Sequence, residues 1–112
     1  MHSIVRDKLR EIVALCETQS IDRLWLFGSA SGTGERFDAE SDIDFVVEID
    51  RDAIPYRGWS DPFFQLMISF EGLLGRRIQL IEWADVRKPS LKDAILEQRE
   101  LIYEASRAVA AV

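Results

Sequence analysis

The chain has 112 residues, 47% of them hydrophobic and 30% charged, a profile that suits one soluble globular domain spanning 1–112 and leaves no room for a second core. Its net charge of −6 argues against a grip on a long nucleic acid, which needs a basic stripe to neutralise phosphates. No apolar run nears the roughly 18 residues of a membrane helix, and Met1–Arg10 is too polar for a secretory leader, so the expectation is a cytoplasmic protein with no membrane partner.

Ile4, Val5, Leu9, Ile12, Val13 and Cys16 recur at helical spacing, which predicts an amphipathic helix over 3–18. Cys16, the lone cysteine, excludes an internal disulfide and falls on the apolar face, where it reads as a small buried hydrophobe. Thr18-Gln-Ser20 breaks the pattern, and Arg23–Phe27 reads as a first strand. The polar stretch from Ser31 to Ser41, with two glycines, either closes over a ligand or merely connects. Asp42–Ile49 reads as a second strand and Asp50–Gly58, with Pro55, as a connection. Asp61-Pro62 has the composition of an N-cap followed by a first helical proline. Phe63, Leu66, Met67, Phe70 and Leu74 then form a core stripe that Gly75 ends. Ile78–Trp83 reads as a third strand. After Pro89, the Ser90–Asp93 spacing suggests a capping box for a last helix carrying Leu91, Ile95, Leu96, Leu101 and Ile102. Ala105–Val112 is apolar without a period, either a frayed end or a docking surface. The order helix, strand, strand, helix, strand, helix predicts an α/β (α+β) fold: a small mixed β-sheet with helices packed on one face.

Two stretches carry chemistry. Leu24–Phe27 is an apolar strand that stops at Gly28-Ser29, and Asp42 and Asp44 stand at the mouth of the second strand among apolar residues. Strand alternation sends both carboxylates to one face, about 6.6 Å apart along the backbone. Such a pair repels itself unless a cation sits between, and Mg²⁺ is suited to a site of aspartate oxygens shared with substrate phosphates. Gly28 lets the backbone approach a phosphate, and the Ser29 hydroxyl with nearby N–H groups can cradle it. A phosphate grip beside a metal grip is equipment for chemistry on a nucleoside triphosphate.

The pattern hydrophobic–Gly28-Ser29, a spacer, then Asp42-Ile-Asp44-Phe resembles the DNA polymerase β nucleotidyltransferase superfamily. The wording LFGSASG…SDIDFVV and the brevity of the chain are similar to its minimal nucleotidyltransferase (MNT) proteins. The resemblance extends over Leu73–Ile78 and the closing Ser90–Ile95 segment. It implies a palm-like core with Asp42 and Asp44 as catalytic, metal-holding residues, two Mg²⁺ ions, ATP as the NTP, and Gly28 and Ser29 on its phosphates. It also implies a protein partner, a HEPN-type RNase toxin that an MNT antitoxin silences by adenylylation or by contact. A homo-oligomer is left open. The resemblance places a third carboxylate where this chain has Gln79, within Leu74-Gly-Arg-Arg-Ile-Gln79-Leu-Ile81. An amide oxygen can touch a metal but cannot serve as a base. Glu82 falls on the opposite strand face, and Glu48 lies about 13 Å along the strand from Asp44, so neither replaces it. The departure points to a rival reading, a catalytically impaired nucleotide-binding or adaptor module.

The remaining candidates have bland readings. His2 reads as a solvated terminal residue. Arg76-Arg77 reads as a cap on the preceding helix, with a triphosphate contact as the alternative. Those two and Arg36 suit a nucleotide better than a duplex. Trp25 and Trp83 read as packing, and Trp59, in a connection, as the candidate for a stacking or partner contact.

Overall fold

A computed structural model describes residues 1–106 and 108. The predicted first helix is two pieces, α1 (Ser3–Arg6) and α2 (Leu9–Thr18), because Lys8 N–H turns back to the Val5 carbonyl at 3.0 Å, one residue short of the helical partner. Its apolar face survives the break: Val5, Ile12 and Cys16 are all buried. Burial, with the nearby Glu17 charge adding to it, pushes the Cys16 thiol up to about 12, so it behaves as the small hydrophobe expected. Next come β1 (Ile21–Phe27), β2 (Ile43–Ile49), α3 (Pro62–Leu74), β3 (Ile78–Glu82), α4 (Pro89–Gln98) and β4 (Glu100–Glu104).

The sheet runs β3-β2-β1-β4. β1 pairs antiparallel with β2 and β4, and β2 pairs parallel with β3, so the sheet is mixed as expected. The α3 termini follow the sequence signals. Asp61 accepts from Phe63 N–H at 3.0 Å, Pro62 takes the first helical position, and Gly75 caps the end at φ 64°. The stripe of α3 enters the core, where Phe70 meets Phe45 with ring centroids 5.0 Å apart.

Two expectations are corrected at the C-terminal end. α4 stops at Gln98, and Leu101 and Ile102 belong to β4, not to the helix. No glycine marks the junction; Arg99 simply adopts an extended conformation, and pairing with β1 makes the strand. The Ser90–Asp93 capping box does not form, because Pro89 already stands inside the first turn and Lys88 becomes the cap residue without a side-chain bond. The helices also do not share one face. α1, α2 and α3 pack on the side of Leu24, Leu26, Phe45 and Val47, while Ile95 of α4 packs with Trp25, Val46 and Val86 on the other. Each strand offers apolar residues at consecutive positions, so both faces need a cover. Of the predicted tail, 107 and 109–112 lie outside the described residues. Among the described residues no helix is long and apolar enough to cross a membrane.

Candidate nucleotide and metal site

β1 ends at Phe27, and the chain turns through a short 3₁₀ segment, Gly28–Ala30. Gly28 sits at φ 75°, and a Cβ there would stand 2.3 Å from Asp44 Oδ2. Both the left-handed backbone and the lack of space therefore demand glycine. The register explains the crowding, since Phe27 pairs directly with Asp44 across β1 and β2. Ser29 follows, half-buried on the turn. A residue that sequence reasoning passed over closes it: Ser31 is buried, and its Oγ donates to the Gly28 carbonyl at 2.7 Å.

Asp42 and Asp44 enter on the strand beside this turn, Asp42 just before β2 and Asp44 within it. They alternate with Ile43 and Phe45, both fully buried against the helices, so the carboxylates project to the opposite face. Asp44 is partly buried. That burial, and then the charge of Asp42, pushes its carboxyl up to about 6. Asp42 is paired instead: Arg77 Nε lies 3.2 Å from its Oδ1.

Gln79 stands next to Asp44 in the parallel ladder and is exposed. The sheet thus delivers the expected third position to the acid pair, but with a neutral amide. The other two acids are committed elsewhere. Glu82 is buried on the helix side, held by Arg51 at 2.6 Å and Arg57 at 3.2 Å, with Asp61 on the same Arg51. Glu48 pairs with Arg23, which also holds Glu104 across the sheet. Among the described residues no three His, Cys, Asp or Glu side chains gather as a metal cage. A Mg²⁺ ion fits the donors that are present, because it keeps waters and shares substrate phosphates around one or two carboxylates. The desolvated, self-repelling Asp44 is the kind of ligand such a cation relieves.

Neither arginine caps α3. The Arg76 guanidinium donates to the carbonyls of Asp38, at 2.8 Å, and Ser41, and lies 4.5 Å from the Phe37 ring centroid. It pins the loop that leads to Asp42. Arg77 joins the site itself, a role hidden in the sequence because the contact spans the gap between two strands. Arg36 is exposed in that loop. His2 is half-buried rather than free in solvent: its Nδ1 accepts from Ile4 N–H at 3.0 Å, and its ring packs 4.5 Å from Phe37. Trp25 and Trp83 pack together on the α4 face, as expected, with the Arg99 guanidinium over Trp25. Trp59 is 78% exposed, beside Phe64.

Comparison with known proteins bears on the family and the fold. The family described as "Polymerase beta, Nucleotidyltransferase" matches residues 10–108. No curated protein matches the chain. Among solved structures, one assigned as a minimal nucleotidyltransferase is 25% identical with a TM-score of 0.70, covering 89% of this chain and 95% of the other. A toxin–antitoxin structure with AMP-PNP is 16% identical with a TM-score of 0.66, covering 92% and 78%. A complex of a tri-AMPylated HEPN toxin with its MNT antitoxin, from Shewanella oneidensis, is 14% identical with a TM-score of 0.60, covering 95% and 77%. The last two likenesses speak for the fold alone.

Proposed function

This chain belongs to the polymerase β nucleotidyltransferase family, and from that premise we propose that residues 1–112 act as one domain that binds ATP with Mg²⁺ and transfers AMP to an acceptor. The observation that carries the reading is the meeting of two adjacent strand ends: a glycine turn pressed against Asp44, and Asp42 two residues before it. Gly28 and Ser29 hold the phosphates, where a side chain at residue 28 would block the approach. Asp42 and Asp44 hold metal, taken as two ions by the resemblance to the family. Bound there, Mg²⁺ supplies charge neutralisation for the triphosphate and orientation of the reacting oxygens. The acceptor oxygen forms a bond to the α-phosphorus as the bond to pyrophosphate breaks, and the acceptor's proton leaves to solvent or to the partner, since Gln79 cannot take it.

The acceptor is a protein, a HEPN-type toxin, or a small molecule. The toxin reading draws on the MNT–HEPN complex that shares this fold. Gln79 favours a second reading, in which the nucleotide site is kept and the protein silences its partner by contact. Radiolabel transfer from α-labelled ATP separates the two. In the first reading the parent labels the partner and Gln79→Asp labels it faster. Silencing of the toxin that persists in Asp42→Asn/Asp44→Asn, with no label in either protein, would establish the second.

A further inference from the structure

Among the described residues the acid pair has one cation beside it, and that cation is on a long exposed arm. Arg77 Nε sits 3.2 Å from Asp42 Oδ1, with the arginine side chain 80% exposed and the aspartate 38%. Its neighbour Arg76 is spent on loop carbonyls, and Arg23, Arg51 and Arg57 are committed to other acids. The Arg77 backbone is fixed where the side chain is not: its carbonyl accepts from Ile43 N–H at 3.0 Å, which locks the base of the arm between the two aspartates. A divalent cation drawn to Asp42 competes with the guanidinium for the charge of that carboxylate.

We propose that Arg77 is an exchangeable counter-ion: it neutralises Asp42 while the site lacks metal, yields that oxygen when metal arrives, and then turns to the triphosphate as a phosphate ligand. The inference rests on the nucleotide-binding reading above. Three features of the page favour exchange over a fixed ion pair. The contact runs through Nε at 3.2 Å on an arm that is 80% exposed, and the planar fork of a guanidinium suits a second anion. An exposed pair of this kind is weak, so a divalent ion displaces it readily. And once the carboxylates are spent on metal, the freed guanidinium stands at the one place where a polyanion is to dock.

The consequence is a change of opposite sign in two measurements on one variant. Removing the guanidinium takes away a competitor of bare metal and a ligand of the nucleotide. Mn²⁺ titration without nucleotide, read by the electron paramagnetic resonance signal of the free ion, should show Arg77→Gln binding about two- to five-fold more tightly than the parent, the range of an exposed ion pair. Calorimetry with Mg²⁺ and α,β-methylene-ATP should show the same variant binding about ten-fold more weakly, as for a lost charge-assisted contact. Arg77→Lys, which keeps the charge, should lie between parent and Arg77→Gln in both. A loss of affinity in both titrations would mean a structural role and overturn the proposal, as would no change in either. Arg77→Gln failing alone leaves the nucleotide site intact; a parent that binds no Mg²⁺–nucleotide overturns both.

Discussion

Two groups of acids on this small sheet are treated in opposite ways. On the helix side, Glu82 and Asp61 are almost fully buried and are matched by Arg51, with Arg57 adding a further contact from the surface. On the other face, at the strand ends, Asp42 and Asp44 stand together with, among the described residues, one exposed arginine, and burial raises the Asp44 carboxyl to about 6. The first arrangement is satisfied as it stands and joins the β2–α3 connection to β3. In the second, among the described residues, two carboxylates share one exposed arginine. Carboxylates buried with their partners belong to the architecture; the crowded pair is where we propose that a cation binds.

The contrast can be broken from either side. The largest effect belongs to the matched cluster. Arg51→Ala leaves two buried carboxylates short of their partner and should lower stability by about 3–5 kcal/mol, read by urea unfolding. Gly28→Ala comes next. The residue would meet Asp44 Oδ2 at 2.3 Å in a left-handed backbone, which should cost about 1–3 kcal/mol and abolish Mg²⁺–nucleotide binding in calorimetry.

Asp44→Asn should do the reverse and stabilise the metal-free protein. The Asp44 carboxyl has an ordinary value of 3.8 and is raised to about 6 in the fold. Between those values only the folded state keeps the proton, so stability falls as pH rises from about 4 to 6 and stays lower above. The variant removes that loss: it should gain about 1–2 kcal/mol at pH 7.5, after allowance for solvent screening, and nothing at pH 4. A thermal melt series across this pH range checks the sign. Trp59→Ala, on an exposed ring, should change stability by less than about 0.5 kcal/mol, as for surface substitutions generally.

The residues of the candidate site stand out in the sequence, and so does the mixed sheet, while several details of the fold do not. Gly28-Ser29 and Asp42-x-Asp44 announced themselves because each lies at the end of an apolar strand, where polar residues stand out. Gln79 was legible only through likeness to a family, since nothing local marks it as a missing acid. The sequence reads Arg77 as a helix cap, with a triphosphate contact as the alternative, because its contact with Asp42 depends on two strands lying side by side, a long-range fact. The sequence reads β4 as helix because Leu101 and Ile102 continue a plausible stripe and no turn residue separates them from α4. Only the ladder with β1 decides it. The second covered face followed from the same source: Trp25 and Val46 read as apolar strand residues, but which element lies over them is set by where α4 returns.

The central claim is that the Asp42–Asp44 pair is a metal and nucleotide site. Calorimetric titration of ATP, with and without Mg²⁺, into the parent and Asp42→Asn/Asp44→Asn tests it most directly. The account predicts binding by the parent that requires Mg²⁺ and disappears in the double variant, with the variant still folded by circular dichroism. Binding that is absent from the parent, or that survives loss of both carboxylates, would contradict it.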